Sequence, residues 1–197
     1  MTEKELPTPF FIVYEDRLRA NLELISRVGR ESGADIIMAF KANALWRTFD
    51  IVREYCRNCT ASSVNELMLG AEYMGGEIHS FTPAYTDSNI DVFLRLSSHI
   101  TFNSLSQYER FAARTAASNA SAGLRVNPKC SVIDTDLYNP ALPGSRFGVD
   151  ALLPRVCLQE STVSISTHSA SLRAMTLKRF LPPLRLRSDI CFLHLSG

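Results

Sequence analysis

The chain has 197 residues, 46% of them hydrophobic, which suits one domain with a buried core, or a piece of a larger one, and excludes a disordered protein. Its formal charge of +1 gives no basic footprint for nucleic acid, and no apolar run is long enough to span a bilayer. The opening residues, Met1-Thr2-Glu3-Lys4-Glu5-Leu6-Pro7, hold no apolar signal region, so the five cysteines are expected to be reduced thiols in the cytoplasm.

Along the chain, short β-rich runs alternate with helical stretches. The expected strands are Phe10-Tyr14, Asp35-Phe40, Thr60-Ser63, Ile78-Pro83, His99-Phe102 and Gly123-Asn127. Between them Leu18, Leu22 and Ile25 share one helical face, as do Leu105, Tyr108 and Ala112, so helices should lie on a sheet. Strands recurring after helices predict an α/β protein with a parallel sheet, doubly wound or a TIM-type barrel, and the near-even spacing favours the barrel. A complete barrel needs more strands than the six found here.

In such folds the reacting groups sit at the carboxyl ends of the strands. Lys41 falls there, directly after the apolar run Asp35-Phe40. A lysine so placed serves as a Schiff base to a carbonyl compound, neutralises a phosphate or carboxylate, or makes a structural ion pair. The apolar approach is expected to desolvate the amine and favour its nucleophilic form. By contrast His79 and His99 lie at strand starts, on the end opposite the chemistry, and are read as structural. Cys56-Arg57-Asn58-Cys59 has metal or redox spacing but neither a second pair nor a thioredoxin-like context. Cys130, Cys157 and Cys191 stand alone, so two incidental thiols and no metal are expected.

Several blocks carry a resemblance: Thr8-Pro9-Phe10-Phe11, the Lys41 strand, Ala61-Ser62-Ser63-Val64-Asn65-Glu66, Asn103 to Arg110, Asp136-Leu137-Tyr138-Asn139-Pro140 and Pro143-Gly144-Ser145-Arg146-Phe147-Gly148. In this order, over residues 7 to about 150, they resemble the pyridoxal-phosphate decarboxylases of the alanine-racemase-like fold, in the branch that acts on carboxynorspermidine. Ornithine and diaminopimelate decarboxylases usually carry an acidic residue near position 60, where this chain has Thr60.

The resemblance implies that Lys41 holds pyridoxal 5'-phosphate and later assists proton transfer, and that Arg125 lies near the cofactor's phenolic oxygen. Ser63 and Glu66 would line the same mouth, although Glu66 also suits the first turn of a helix. Tyr138, Asn139 and Arg146 would belong to a substrate loop, or be ordinary turn residues. The implied substrate is a small polyamine amino acid, with no nucleic-acid or membrane partner, and the intact family member is implied to be a homodimer. Two rivals stay open: a single-domain pyridoxal-phosphate carrier, which steady turnover would exclude, and a barrel fragment that binds nothing.

Residues 1–150 thus form the expected partial barrel, six βα units without the family's C-terminal β domain, and the style changes from Ala151 to Gly197. The net charge passes from −3 to +4, and Ser, Leu and Arg supply 22 of these 47 residues, as in an out-of-frame translation. The family continues here as GLHFHxLCE. Codons exist for Thr162 to Ser171 whose shifted reading gives Gly-Leu-His-Phe-His and then Leu-Cys-Glu. A frameshift between about Phe147 and Cys157 is therefore expected, with a poorly packed tail and an inactive chain.

Overall fold

The computed structural model describes residues 7–127, 139–150 and the backbone of 190–191. Its first element is α1 (Glu15–Ser32), with Glu15 and Asp16 in the first turn, Arg30 in the last, and Gly33 as a left-handed cap at φ 68°. A broken strand follows as β1 (Asp35–Ile36) and β2 (Met38–Ala39), then a 3-10 turn (Trp46–Thr48) running into α2 (Phe49–Val52). The chain continues through β3 (Cys59–Ala61), α3 (Val64–Tyr73), β4 (Ile78–Phe81), α4 (Ile90–Leu96), β5 (His99–Phe102), α5 (Leu105–Ala116), β6 (Ser121–Leu124) and β7 (Val126–Asn127). Two short strands complete it, β8 (Val149–Asp150) and β9 (Ile190–Cys191).

The main sheet is parallel in the order β2-β3-β4-β5-β6, each strand lying beside its predecessor. That is the winding of a barrel wall, whereas a doubly wound sheet reverses direction at a switch point. The sheet is extended at both edges. Arg125 donates its N–H to Phe102 O at 2.8 Å on one side, and its carbonyl accepts from Val149 N at 2.9 Å on the other. The strand thus passes at Arg125 from pairing with β5 to pairing, as β7, with β8. At the opposite edge β1 pairs in parallel with β9 over two residues. The expectation for the tail otherwise lies outside the described residues.

Five of the six expected strands form, at slightly shifted bounds. Phe10-Tyr14 does not: it runs extended into α1 without a ladder, and all five side chains are exposed, Phe11 completely. A β-branched and aromatic run becomes a strand only when it joins a sheet, and this run belongs to none of the sheets among the described residues.

Helices and sheet meet over one core that includes Phe40, Phe49, Leu67, Ile90, Phe93, Ile100, Phe102 and Phe111, each at most 2% exposed. Phe40 stacks on Phe49 at 5.2 Å between ring centres, and the Tyr85 ring meets Phe93 and Phe102 edge-on at 5.0 and 5.5 Å. The buried Tyr85 hydroxyl donates towards Ser80 O and Thr101 O, which removes the cost of burying it. Gly70 allows α3 to close on the sheet, because a Cβ there would lie 2.9 Å from Cys59 Sγ and 3.2 Å from Phe40.

Candidate functional site at the carboxyl ends of the strands

Because the strands are parallel, their carboxyl ends lie together at one end of the sheet, and the residues singled out in the sequence follow those ends. Lys41 stands in the turn two residues beyond β2, where Ala42 N and Asn43 N both donate to Ala39 O. Its side chain is exposed, so the preceding apolar strand does not desolvate it, contrary to expectation. The strand buries Ile37 and Phe40, and the chain has already turned outwards at position 41.

Ser63 and Glu66 are occupied locally. Ser63 caps α3, its hydroxyl accepting from Glu66 N at 3.2 Å, while Glu66 Oε2 accepts from Ser62 N at 2.6 Å and from the Ser62 hydroxyl at 2.7 Å. This is a variant of the capping box, in which the cap hydroxyl accepts from the third helical residue while that residue's side chain reaches back to the residue before the cap. The same device recurs after β5. Ser104 Oγ accepts from Gln107 N at 3.2 Å, and Gln107 Oε1 accepts from Asn103 N at 3.0 Å.

Arg125 is built differently. It is 2% exposed, and its guanidinium carbon lies 4.9 Å from the Phe81 ring centre and 4.6 Å from that of Phe147. Burial pushes its pKa down, yet an arginine stays charged in a protein. Its Nη1 is buried without an acceptor. A buried cation with an unused donor is costly, so the site is chemically suited to an anionic oxygen.

A loop holds one wall of this mount in place. Asn103 Nδ2 donates to Arg146 O at 2.8 Å, and Gly148 N donates to Asn103 Oδ1 at 3.0 Å, so one side chain fastens both neighbours of Phe147. Gly148 has φ +81°, and a Cβ there would lie 3.0 Å from Asn127 N and 3.1 Å from Arg125 Cγ. Only glycine suits both the backbone conformation and the close approach. Asn139 forms a turn, its Oδ1 accepting from Ala141 N at 2.9 Å. Arg146 is exposed, with its guanidinium 5.1 Å from the Phe147 ring centre. Tyr138 lies outside the described residues.

Lys41 and Arg125 therefore share an end of the sheet but stand at its two edges, four strand spacings or roughly 19 Å apart along an unrolled sheet. In a closed barrel such edges face one another across the mouth. Phe81, Phe147 and Asn103 were not singled out for a role by sequence reasoning. Phe147 and Asn103 lay within the family-like blocks, but their convergence on Arg125 needs the strand order.

The CxxC pair is accounted for within the fold. Cys56 Sγ lies 3.0 Å from Ile36 O and 3.3 Å from Asn58 O, and burial pushes the Cys59 thiol up to about 12, far from a reactive thiolate.

Sheet order and site placement define an α/β protein of consecutive parallel βα units, the class that closes into barrels with its chemistry at the strands' carboxyl ends. No protein-family model matches the chain. Over 164 residues it is 38% identical to carboxyaminopropylagmatine decarboxylase of Synechocystis sp., a match covering 83% of this chain and 42% of that protein. Over 151 residues it is 40% identical to carboxynorspermidine/carboxyspermidine decarboxylase of Campylobacter jejuni, covering 77% of this chain and 39% of that protein. The solved carboxynorspermidine decarboxylase of C. jejuni, complexed with norspermidine, superposes with a TM-score of 0.74 at 34% identity, over 89% of this chain and 46% of that one. The chain is thus similar to decarboxylases, which are carbon–carbon lyases, and resembles carboxynorspermidine decarboxylase in particular. It spans about two fifths of the length of the curated relatives it matches. No helix among the described residues is long and apolar enough to cross a membrane.

Proposed function

We propose that this chain carries part of a pyridoxal-phosphate-dependent decarboxylase that removes carbon dioxide from a carboxylated polyamine such as carboxynorspermidine or carboxyspermidine, acting in the cytoplasm as a homodimer when intact. The observation that carries this reading is Arg125, a buried guanidinium with an unmet donor at the carboxyl end of a parallel sheet. Such a group fits an anionic oxygen of pyridoxal phosphate, and the exposed Lys41 amine at the same end fits its aldehyde. When bound, the cofactor supplies the sink for the electron pair left by the departing carboxylate.

The residues divide the remaining work. Lys41 Nζ would hold the cofactor through its aldehyde and, when free, would be the group that delivers a proton to the substrate carbon that loses its carboxylate. Arg125 Nη1 binds and orients an anionic oxygen of the cofactor, and Phe81 and Phe147 keep water from the guanidinium, which strengthens its hold. Ser63 and Glu66 set the start of α3 beside the mouth. Arg146, exposed on the loop over the Arg125 mount, is available to a substrate carboxylate, and the resemblance adds Tyr138 and Asn139 as further substrate contacts.

Residues 1–150 are proposed to supply this partial barrel and residues 151–197 to be translated out of frame, leaving the chain itself without useful turnover. The coding DNA tests the second statement, since codons incompatible with the shifted Gly-Leu-His-Phe-His reading overturn it. For the first, the 197-residue chain is mixed with pyridoxal phosphate, reduced with borohydride and mapped by mass spectrometry. Label is expected at Lys41 and should be lost in Lys41→Ala, without carbon dioxide release from carboxynorspermidine. Equal labelling of the two chains places the chemistry elsewhere, no labelling favours a fragment that binds nothing, and steady carbon dioxide release refutes the inactive reading.

A further inference from the structure

We propose that Glu77, His79 and His99 form a binding site for a divalent zinc-class metal ion at the amino-terminal end of the sheet. The backbone places the three donors together. His79 and His99 are register partners on the adjacent parallel strands β4 and β5, so their rings start side by side. Glu77 precedes His79 by two residues and therefore projects to the same face of the chain.

The donor atoms converge without satisfying one another. His79 Nε2 lies 3.8 Å and His99 Nδ1 4.0 Å from the same carboxylate oxygen, Glu77 Oε2, both longer than a full hydrogen bond. All three ligand atoms lie within 4.8 Å of one another. Ligands about 2.0–2.2 Å from a tetrahedral zinc ion are roughly 3.3 Å apart, so the cluster has only to contract modestly to bind one. His99 Nδ1 is buried and has no hydrogen-bond partner. His79 is 9% exposed, so its ring is held in place by the core on one side and by His99 on the other.

The rings now stack face to face, with centres 4.3 Å apart and planes 4° from parallel. Imidazole lone pairs lie in the ring plane, so binding requires the rings to tilt towards each other. His99, whose side chain is 36% exposed, has the freedom to do so, and Glu77 at 58% can follow. Two nitrogens and one carboxylate oxygen are a donor set for Zn²⁺, and the exposed side leaves a fourth position for water. The site lies at the far end of the strands from Lys41 and Arg125, so its occupancy is independent of the proposed cofactor.

The full chain, stripped with chelator, is titrated with ZnCl2 against a competing indicator and with CoCl2 followed by visible absorption. One ion per chain is expected, with d–d bands of nitrogen and oxygen ligation. Glu77→Gln and His99→Gln, both at accessible side chains, should each weaken binding at least tenfold while circular dichroism stays unchanged. His79→Gln should weaken it too, but that side chain is buried, so the two accessible variants decide. The proposal is overturned if no ion binds tighter than the indicator allows, if the Glu77→Gln and His99→Gln chains bind as the parent does, or if cobalt gives the intense near-ultraviolet band of thiolate ligation, which would assign the ion to cysteines.

Discussion

At the carboxyl ends of the strands the structure leaves a buried donor without an acceptor, Arg125 Nη1, whereas at the amino ends it leaves a ring nitrogen, His99 Nδ1, without a partner beside a loose carboxylate. The surroundings differ as well. Arg125 is walled by Phe81 and Phe147 and by a loop pinned through Asn103, while the histidines lean on each other and on an exposed glutamate. Unmet hydrogen-bonding capacity thus sits at opposite ends of the same strands. One end is proposed to take an anion and the other a cation, and both are held by one core.

The largest effect should come from breaking both ends together. Phe102 is fully buried at the end of β5, the strand that starts with His99 and leads into Asn103. Phe102→Ala should cost about 3–5 kcal/mol, read as a lower urea midpoint, and should weaken cofactor and zinc binding alike. If only one end responds, the ends do not share their support.

Acid separates them. In metal-free buffer above pH 6.5, His79 is neutral in both folded and unfolded chains and does not affect stability. Between pH 6.5 and about 4 the unfolded chain binds a proton that the folded His79 refuses, because burial and His99 outweigh the attraction of Glu77 and Asp35. Stability should therefore fall by about 1–3 kcal/mol over that window, once solvent screening is allowed for, and His79→Gln should flatten the profile. A fall of the same size in His79→Gln would assign the acid sensitivity to other groups.

Asn103→Ala should act at the carboxyl end alone. Losing two hydrogen bonds to the loop should cost about 1–2 kcal/mol, speed hydrogen exchange at the Gly148 amide and weaken borohydride-trapped labelling of Lys41, with zinc binding unchanged. The smallest effect is expected from Ser63→Ala, about 1 kcal/mol from the lost cap, with labelling retained. Loss of labelling there would show that Ser63 meets the cofactor and is more than a cap.

Much of the scaffold could be read from the chain because apolar runs such as His99-Phe102 are bounded by helical faces whose period is plain. Phe10-Tyr14 misled because its composition suits a strand while pairing depends on a neighbour that composition does not disclose. Glu66 was legible as a first-turn residue, but Ser63 reads as the end of the preceding strand rather than as the helix cap it forms, and the mouth-lining reading of both came from the resemblance. The environment of Arg125 was not legible, since Phe81, Asn103 and Phe147 come from three separate elements. Nor was the cluster at the amino end, where Glu77 and His79 share a strand face visibly but His99 joins them only through the register of β4 on β5.

The staple between Asn103 and the loop has a consequence for how the chain acquires this arrangement in time. Its two hydrogen bonds join residues 43 and 45 positions apart, whereas the capping hydrogen bonds beside it close over three or four. Long loops are closed at an entropic cost that local turns do not bear, so caps and adjacent strand pairs form early and the wall over Arg125 forms after them. The guanidinium therefore spends part of every folding event in water and is enclosed only after those local elements have formed. In the native chain the same segment should be the first to reopen, giving anions a route to Arg125 that requires no unfolding of the sheet.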